Sequence, residues 1–103
     1  GDNCRDTFYA YGDHDMLDTW RQAVKIVQLD HPHADAAALA ASVPAQMMGL
    51  AAGLIAPGRS ADFMVLDAWS MSQVLARAHN DRMIIRRGAS ARAAPPSYGL
   101  LMR

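Results

Sequence analysis

Gly53-Leu54-Ile55-Ala56-Pro57-Gly58-Arg59-Ser60-Ala61-Asp62-Phe63-Met64-Val65-Leu66-Asp67 is the stretch on which the fold turns. Gly58 follows a proline and admits a turn conformation closed to residues with a side chain. Asp62 is a residue type that hydrogen-bonds nearby backbone. The four residues after it, Phe63-Met64-Val65-Leu66, form a short apolar run of buried-strand type. The segment therefore reads as a turn that delivers the chain into a sheet. Across residues 51–59 the composition shifts to Gly and Pro, which marks a turn-rich crossing and places an organisational boundary there. Residues 1–52 form one unit and residues 53–103 a second.

Beyond the first strand, Ser70 caps a short predicted helix through Arg77, with Met71, Val74 and Leu75 on one side. Arg82-Met83-Ile84-Ile85-Arg86 is a second apolar run and a second strand. Arg87-Gly88 turns the chain into a third, weak strand around residues 89–93, and Pro95-Pro96 ends regular structure. Upstream, Met16, Leu17, Trp20, Val24 and Val27 recur at steps of three and four, which predicts an amphipathic helix over residues 13–29. Asp13 is its expected N-cap, and Asp30-His31-Pro32 ends it. Trp20 is expected to anchor a core. Two shorter helices are predicted, over residues 34–41 and from Ser42 to near Gly49, with Met47, Met48 and Leu50 as core.

The bulk numbers exclude several classes. A 103-residue chain is one domain at most and hides only about two thirds of its unfolded surface. Ten Lys and Arg balance ten Asp and Glu, and without a basic cluster there is no nucleic-acid footprint. The single cysteine, Cys4, rules out an internal disulfide, and a reducing cytoplasm is the expected location. The longest apolar stretch, residues 44–57, is too short for the roughly 20 residues of a membrane span, so no membrane partner is expected. The opening residues lack the basic start and apolar run of a targeting peptide.

Two segments carry a resemblance. The Gly53 to Asp67 stretch is similar to the amidohydrolase superfamily pattern in which glycine, an aliphatic residue, a second glycine and Ala-Asp precede a buried strand. Gly1-Asp2-Asn3-Cys4-Arg5-Asp6-Thr7-Phe8-Tyr9, followed by Tyr11-Gly12-Asp13 and Met16-Leu17, resembles the loop after the last barrel strand of cytosine deaminase-like enzymes. The resemblance implies an α+β fragment: the last loop and helices of a (β/α)8 metal-dependent hydrolase barrel, then part of the small β-rich subdomain. It implies that Asp2 binds the catalytic divalent metal, zinc or iron, and handles the proton of the metal-bound water. It also implies that Asn3 and Phe8 face a small cyclic amidine or pyrimidine-like substrate. A metal makes bound water acidic, and a neighbouring carboxylate accepts its proton and passes it to a leaving amine.

Asn3 stands where bacterial cytosine deaminases carry a second Asp. An amide does not replace a carboxylate toward a ring N–H unaltered, so cytosine, triazine-type rings and other cyclic amidines all stay open. The remaining ligands implied by the resemblance, three His and a Glu acid/base, are expected upstream of Gly1, and the chain alone is expected to be inactive. His31-Pro32-His33 is not read as the missing His-x-His pair, because it follows a helix end at a proline. His14 and His79 read as surface residues, and Cys4 as a small buried side chain. The competing reading is an independent small α+β domain that binds a partner. Under either reading, an uncovered face of the residue 13–29 helix is open to self-association.

Overall fold

The computed structural model describes residues 10–30 and 33–92, together with Thr7, Ser97 and Gly99. Asp2, Asn3, Cys4, Phe8 and His31 lie outside the described residues, as does Pro95-Pro96. The described chain is a small α+β unit. It runs α1 (Met16–Val27), α2 (His33–Ala38), α3 (Ser42–Met47), β1 (Phe63–Val65), α4 (Met71–Ala76), β2 (Met83–Arg86) and β3 (Ala89–Ala91).

The first helix starts two residues later than the apolar period alone predicts. His14 takes a left-handed φ of 54°, a conformation that no helix continues. Asp15, rather than Asp13, therefore caps α1, its side chain accepting from the Leu17 N–H. Gln28 closes the helix in the left-handed region, donating its N–H to the Val24 carbonyl. Trp20, Val24, Ala36 and Leu75 form the core cluster, with Leu17, Leu29, Ala37, Ala40, Met71 and Val74 packed against it. Trp20 is the anchor expected of it, and its indole N–H donates to the Ala36 carbonyl at 2.8 Å, so its one polar atom is satisfied inside the core. Met16 and Val27, predicted for the same face, lie at the ends of α1 and are exposed.

The crossing from residue 50 to residue 62 contains no regular element, as its Gly and Pro content predicts. It is still tied down. Ser60 donates its N–H to the Ala51 carbonyl at 3.0 Å, and a Cβ at Gly53 would stand 2.6 Å from the Ala41 carbonyl oxygen. With φ at 79° as well, Gly53 holds a close backbone approach that no other residue tolerates.

The strands form one antiparallel sheet in the order β1-β2-β3, with Phe63 opposite Ile85 and Ile85 opposite Ser90. Arg87 and Gly88 join β2 to β3 and both have positive φ, the backbone of a two-residue hairpin turn that follows strand twist. The expected burial of these strands does not appear among the described residues. Phe63 and Ile85 are partly covered, while Met64, Val65, Met83 and Ile84 are 41% to 53% exposed. Met47, Met48 and Leu50 are likewise exposed rather than core. The core forms among α1, α2 and α4, and α3 contributes only the buried Ala45 beside it.

Candidate active site

The residues singled out for chemistry, Asp2, Asn3 and Phe8, precede the described part of the chain, which begins its continuous course at Ala10. What the structure shows is how the chain leaves that segment. Ala10 and Tyr11 form a turn, Gly12 is buried, and His14 in its left-handed conformation hands the chain to Asp15.

Asp15 is engaged on both of its carboxylate oxygens. Its Oδ1 accepts from the Leu17 N–H at 3.0 Å and from Arg82 Nη1 at 2.8 Å, while its Oδ2 accepts from Arg82 Nη2. This is the fork-to-fork geometry in which a guanidinium matches both oxygens of a carboxylate. The Arg82 hydrogen bonds hold the Asp15 carboxyl below its ordinary value, partial burial opposes them, and the Arg82 charge and the Leu17 and Asp18 N–H groups add to the lowering. Asp15 in turn raises the Arg82 guanidinium above its ordinary value.

Arg21, one turn and a half along α1, is buried and serves the other side of the unit. Its Nε donates to the Val74 carbonyl at 2.9 Å and its Nη2 to the Leu75 carbonyl at 3.2 Å, satisfying carbonyls that the last turn of α4 leaves open. Asp18 stands 3.5 Å from Arg21 Nη1. His79 departs from the surface reading, with only 2% of its surface exposed. Its Nε2 lies 3.3 Å from the Gln73 carbonyl, so the chain after α4 folds it back against that helix.

Asp62, in the glycine and Ala-Asp motif, performs a backbone role over a longer range than predicted. Its Oδ1 accepts from the Arg87 N–H at 2.8 Å and its Oδ2 from the Ser60 hydroxyl at 2.6 Å, while Gly88 donates to the Ala61 carbonyl at 3.1 Å. The Ser60 hydroxyl and then the Arg87 N–H lower its carboxyl. The motif thus pins the β2–β3 turn to the start of β1, which explains its residue types without any chemistry. Two surface hollows flank the crossing, and Arg59 is the one ionisable side chain that lines either. Among the described residues no three His, Cys, Asp or Glu side chains gather to hold a metal. The described part of the chain therefore does not by itself fit a metal centre, and no reaction step runs through one there.

The pairing of Asp15 with Arg82 is the feature that the sequence does not announce. Asp15 carried a weak signal, an acid at a helix start, whereas Arg82 lies 67 positions away and carried none.

The amidohydrolase family model matches residues 1–92, and the chain belongs to that family. A pterin deaminase of Rhizobium rhizogenes is 41% identical over 98 residues, which are 94% of this chain and 22% of that protein. The chain thus spans about a fifth of the length of the curated relative it matches. No solved structure matches it. Among the described residues, no helix is long and apolar enough to cross a membrane.

Proposed function

We propose that this chain is the C-terminal part of a hydrolase that removes an exocyclic amino group from a nitrogen heterocycle, with a pterin or related 2-amino-4-oxo ring as substrate. The observation that carries the reading is the 41% identity to a pterin deaminase over 98 residues of this chain. Residues 1–52 are proposed as the end of a (β/α)8 barrel and residues 53–103 as part of its small β subdomain. Barrel enzymes place their sites at the carboxyl ends of the strands, and the proposed position of Asp2 is such an end.

The role assigned to Asp2 is to carry a proton. Water attacks the ring carbon, a C–O bond forms, the C–N bond breaks, and ammonia leaves. A carboxylate that accepts the proton from the attacking water and returns it to the nitrogen serves both halves of that exchange. The family resemblance gives the intact hydrolase a divalent metal, zinc or iron, with Asp2 as one ligand and the others outside residues 1–103. When bound, it makes water a stronger acid. The Asn3 amide both donates and accepts, which suits the adjacent N–H and C=O that a 4-oxo pterin ring and cytosine alike present, and Phe8 supplies an apolar face for the ring. A cytoplasmic location belongs to the same proposal.

Ammonia release by the full-length protein, measured with pterin and with cytosine in parallel, tests this reading. A kcat/KM for pterin at least about tenfold above that for cytosine is expected, a margin of about 1.4 kcal/mol. Equal rates, or preference for cytosine, would reject the pterin reading. The 103-residue chain alone is expected to retain no stoichiometric metal after dialysis and to release no ammonia, since one carboxylate does not make a catalytic metal site.

A further inference from the structure

We infer that the Asp15–Arg82 pair is a positioning device: it fastens the start of α1 to the sheet and so fixes the course of residues 10–14, which follow the proposed Asp2-Asn3-Phe8 segment in the chain. The inference rests on the proposed function for the identity of the segment, but the tether itself is read from geometry.

Three observations separate this role from ordinary stabilisation of α1. The helix is already docked by other means further along. Trp20 donates to Ala36, Arg21 to Val74 and Leu75, and Val24 is almost fully buried. None of these contacts lies in the first turn, so the helix body would stay seated without Asp15. Second, Asp15 stands at a change of direction, directly after His14 at φ 54° and three residues after buried Gly12. A restraint there acts on the chain before it, because a left-handed residue joined to a helix cap leaves little torsional slack.

Third, Arg82 immediately precedes β2, whose Met83 pairs with Val65 of β1, and its Nη1 also reaches toward Met64 Sδ at 4.0 Å. Arg82 is therefore fixed at the start of the central strand, and both Asp15 oxygens are engaged by it. A bidentate pair fixes orientation as well as distance. Chemistry at a ring carbon is sensitive to such placement: a displacement of about 1 Å can reduce rate by about 100-fold.

The test uses the full-length protein with Asp15→Asn, Arg82→Gln, Arg82→Lys and the double variant Asp15→Asn/Arg82→Gln. Asn caps a helix as well as Asp does, so Asp15→Asn removes the ion pair while keeping the cap. Each of the first two variants is expected to lose about threefold to fivefold in kcat with a smaller change in KM. The double variant is expected to be no worse than either single one, the non-additivity of two residues that act as a unit. Arg82→Lys, which keeps the charge and loses the fork, should fall between wild type and Arg82→Gln.

Amide exchange supplies a readout independent of turnover. Exchange over residues 10–14 should accelerate in both single variants, while the amides of Trp20 to Val24 keep wild-type protection. Unchanged exchange over residues 10–14 overturns the tether, whatever the activity. A loss of kcat that tracks the fraction of unfolded protein overturns it too. If the wild type releases no ammonia and the exchange effect is present, the tether stands and the functional reading falls.

Discussion

The helical part and the sheet part of this chain use apolar residues in opposite ways. In the helical part, Trp20, Val24, Ala36 and Leu75 meet one another, and the one polar atom of the group, the indole N–H, is satisfied inside it. In the sheet, Met64, Val65, Met83 and Ile84 are just as apolar, yet each is about half exposed. Partners across β1 and β2 share a face, so Val65 and Met83 lie on one side of the sheet and Met64 and Ile84 on the other. A sheet apolar on both faces has the composition of one covered on both. Helical periodicity in this chain therefore reports burial within the described unit, while strand hydrophobicity reports only the capacity to be buried.

The contrast is broken most severely at Trp20. Trp20→Ala is expected to cost about 3 to 5 kcal/mol, whereas Ile84→Thr on the exposed sheet should stay within about 0.5 kcal/mol. Denaturant midpoints of the chain compare the two, and equal costs would mean that the sheet is as well packed as the helices. Arg21 comes next. Arg21→Met keeps much of the side-chain volume but leaves the Val74 and Leu75 carbonyls without their donor, and about 1 to 3 kcal/mol is expected from such a loss. A cost below about 0.5 kcal/mol would show that water replaces the guanidinium at both carbonyls.

The smallest effect belongs to Asp15. Its folded-state value is lowered below the ordinary 3.8, so its pairing stabilises the fold above pH 3.8 and is lost as pH falls through the lower folded value. The pair is partly exposed, and solvent screening limits its worth to under about 1 kcal/mol. Thermal midpoints of wild type and Asp15→Asn, followed from about pH 6 to about pH 2, should differ at the upper end and converge at the lower. A gap that widens with acidification would contradict the sign of the shift.

Much of the element order was legible because it rests on local signals. The three-and-four spacing from Met16 to Val24 marks α1, Ser70 marks the start of α4, and Arg87-Gly88 marks the hairpin. The start of α1 was misplaced by two residues because both Asp13 and Asp15 are competent caps, and only the left-handed His14 decides between them. His79 was misread because a histidine beside Asn80-Asp81 looks solvated until α4 folds over it. Met47, Met48 and Leu50 were misread for the opposite reason: their hydrophobicity is real, but no described element packs on them. The Asp15–Arg82 pair was invisible, since nothing local in either residue points across 67 positions. Of the candidate site, the segment and its residue types were readable only by resemblance, and those residues lie outside the described part of the chain.

Asp2→Asn in the full-length protein tests the central claim most directly, with ammonia release from pterin and metal content measured on the same preparation. The amide keeps the shape of the side chain but accepts no proton from the attacking water. Loss of at least about a thousandfold in kcat, with the thermal midpoint close to wild type, is the expected result, consistent with the larger contributions of a proton-transfer group. Near-normal turnover by Asp2→Asn would contradict the assignment of this segment to the active site and the deaminase mechanism built on it.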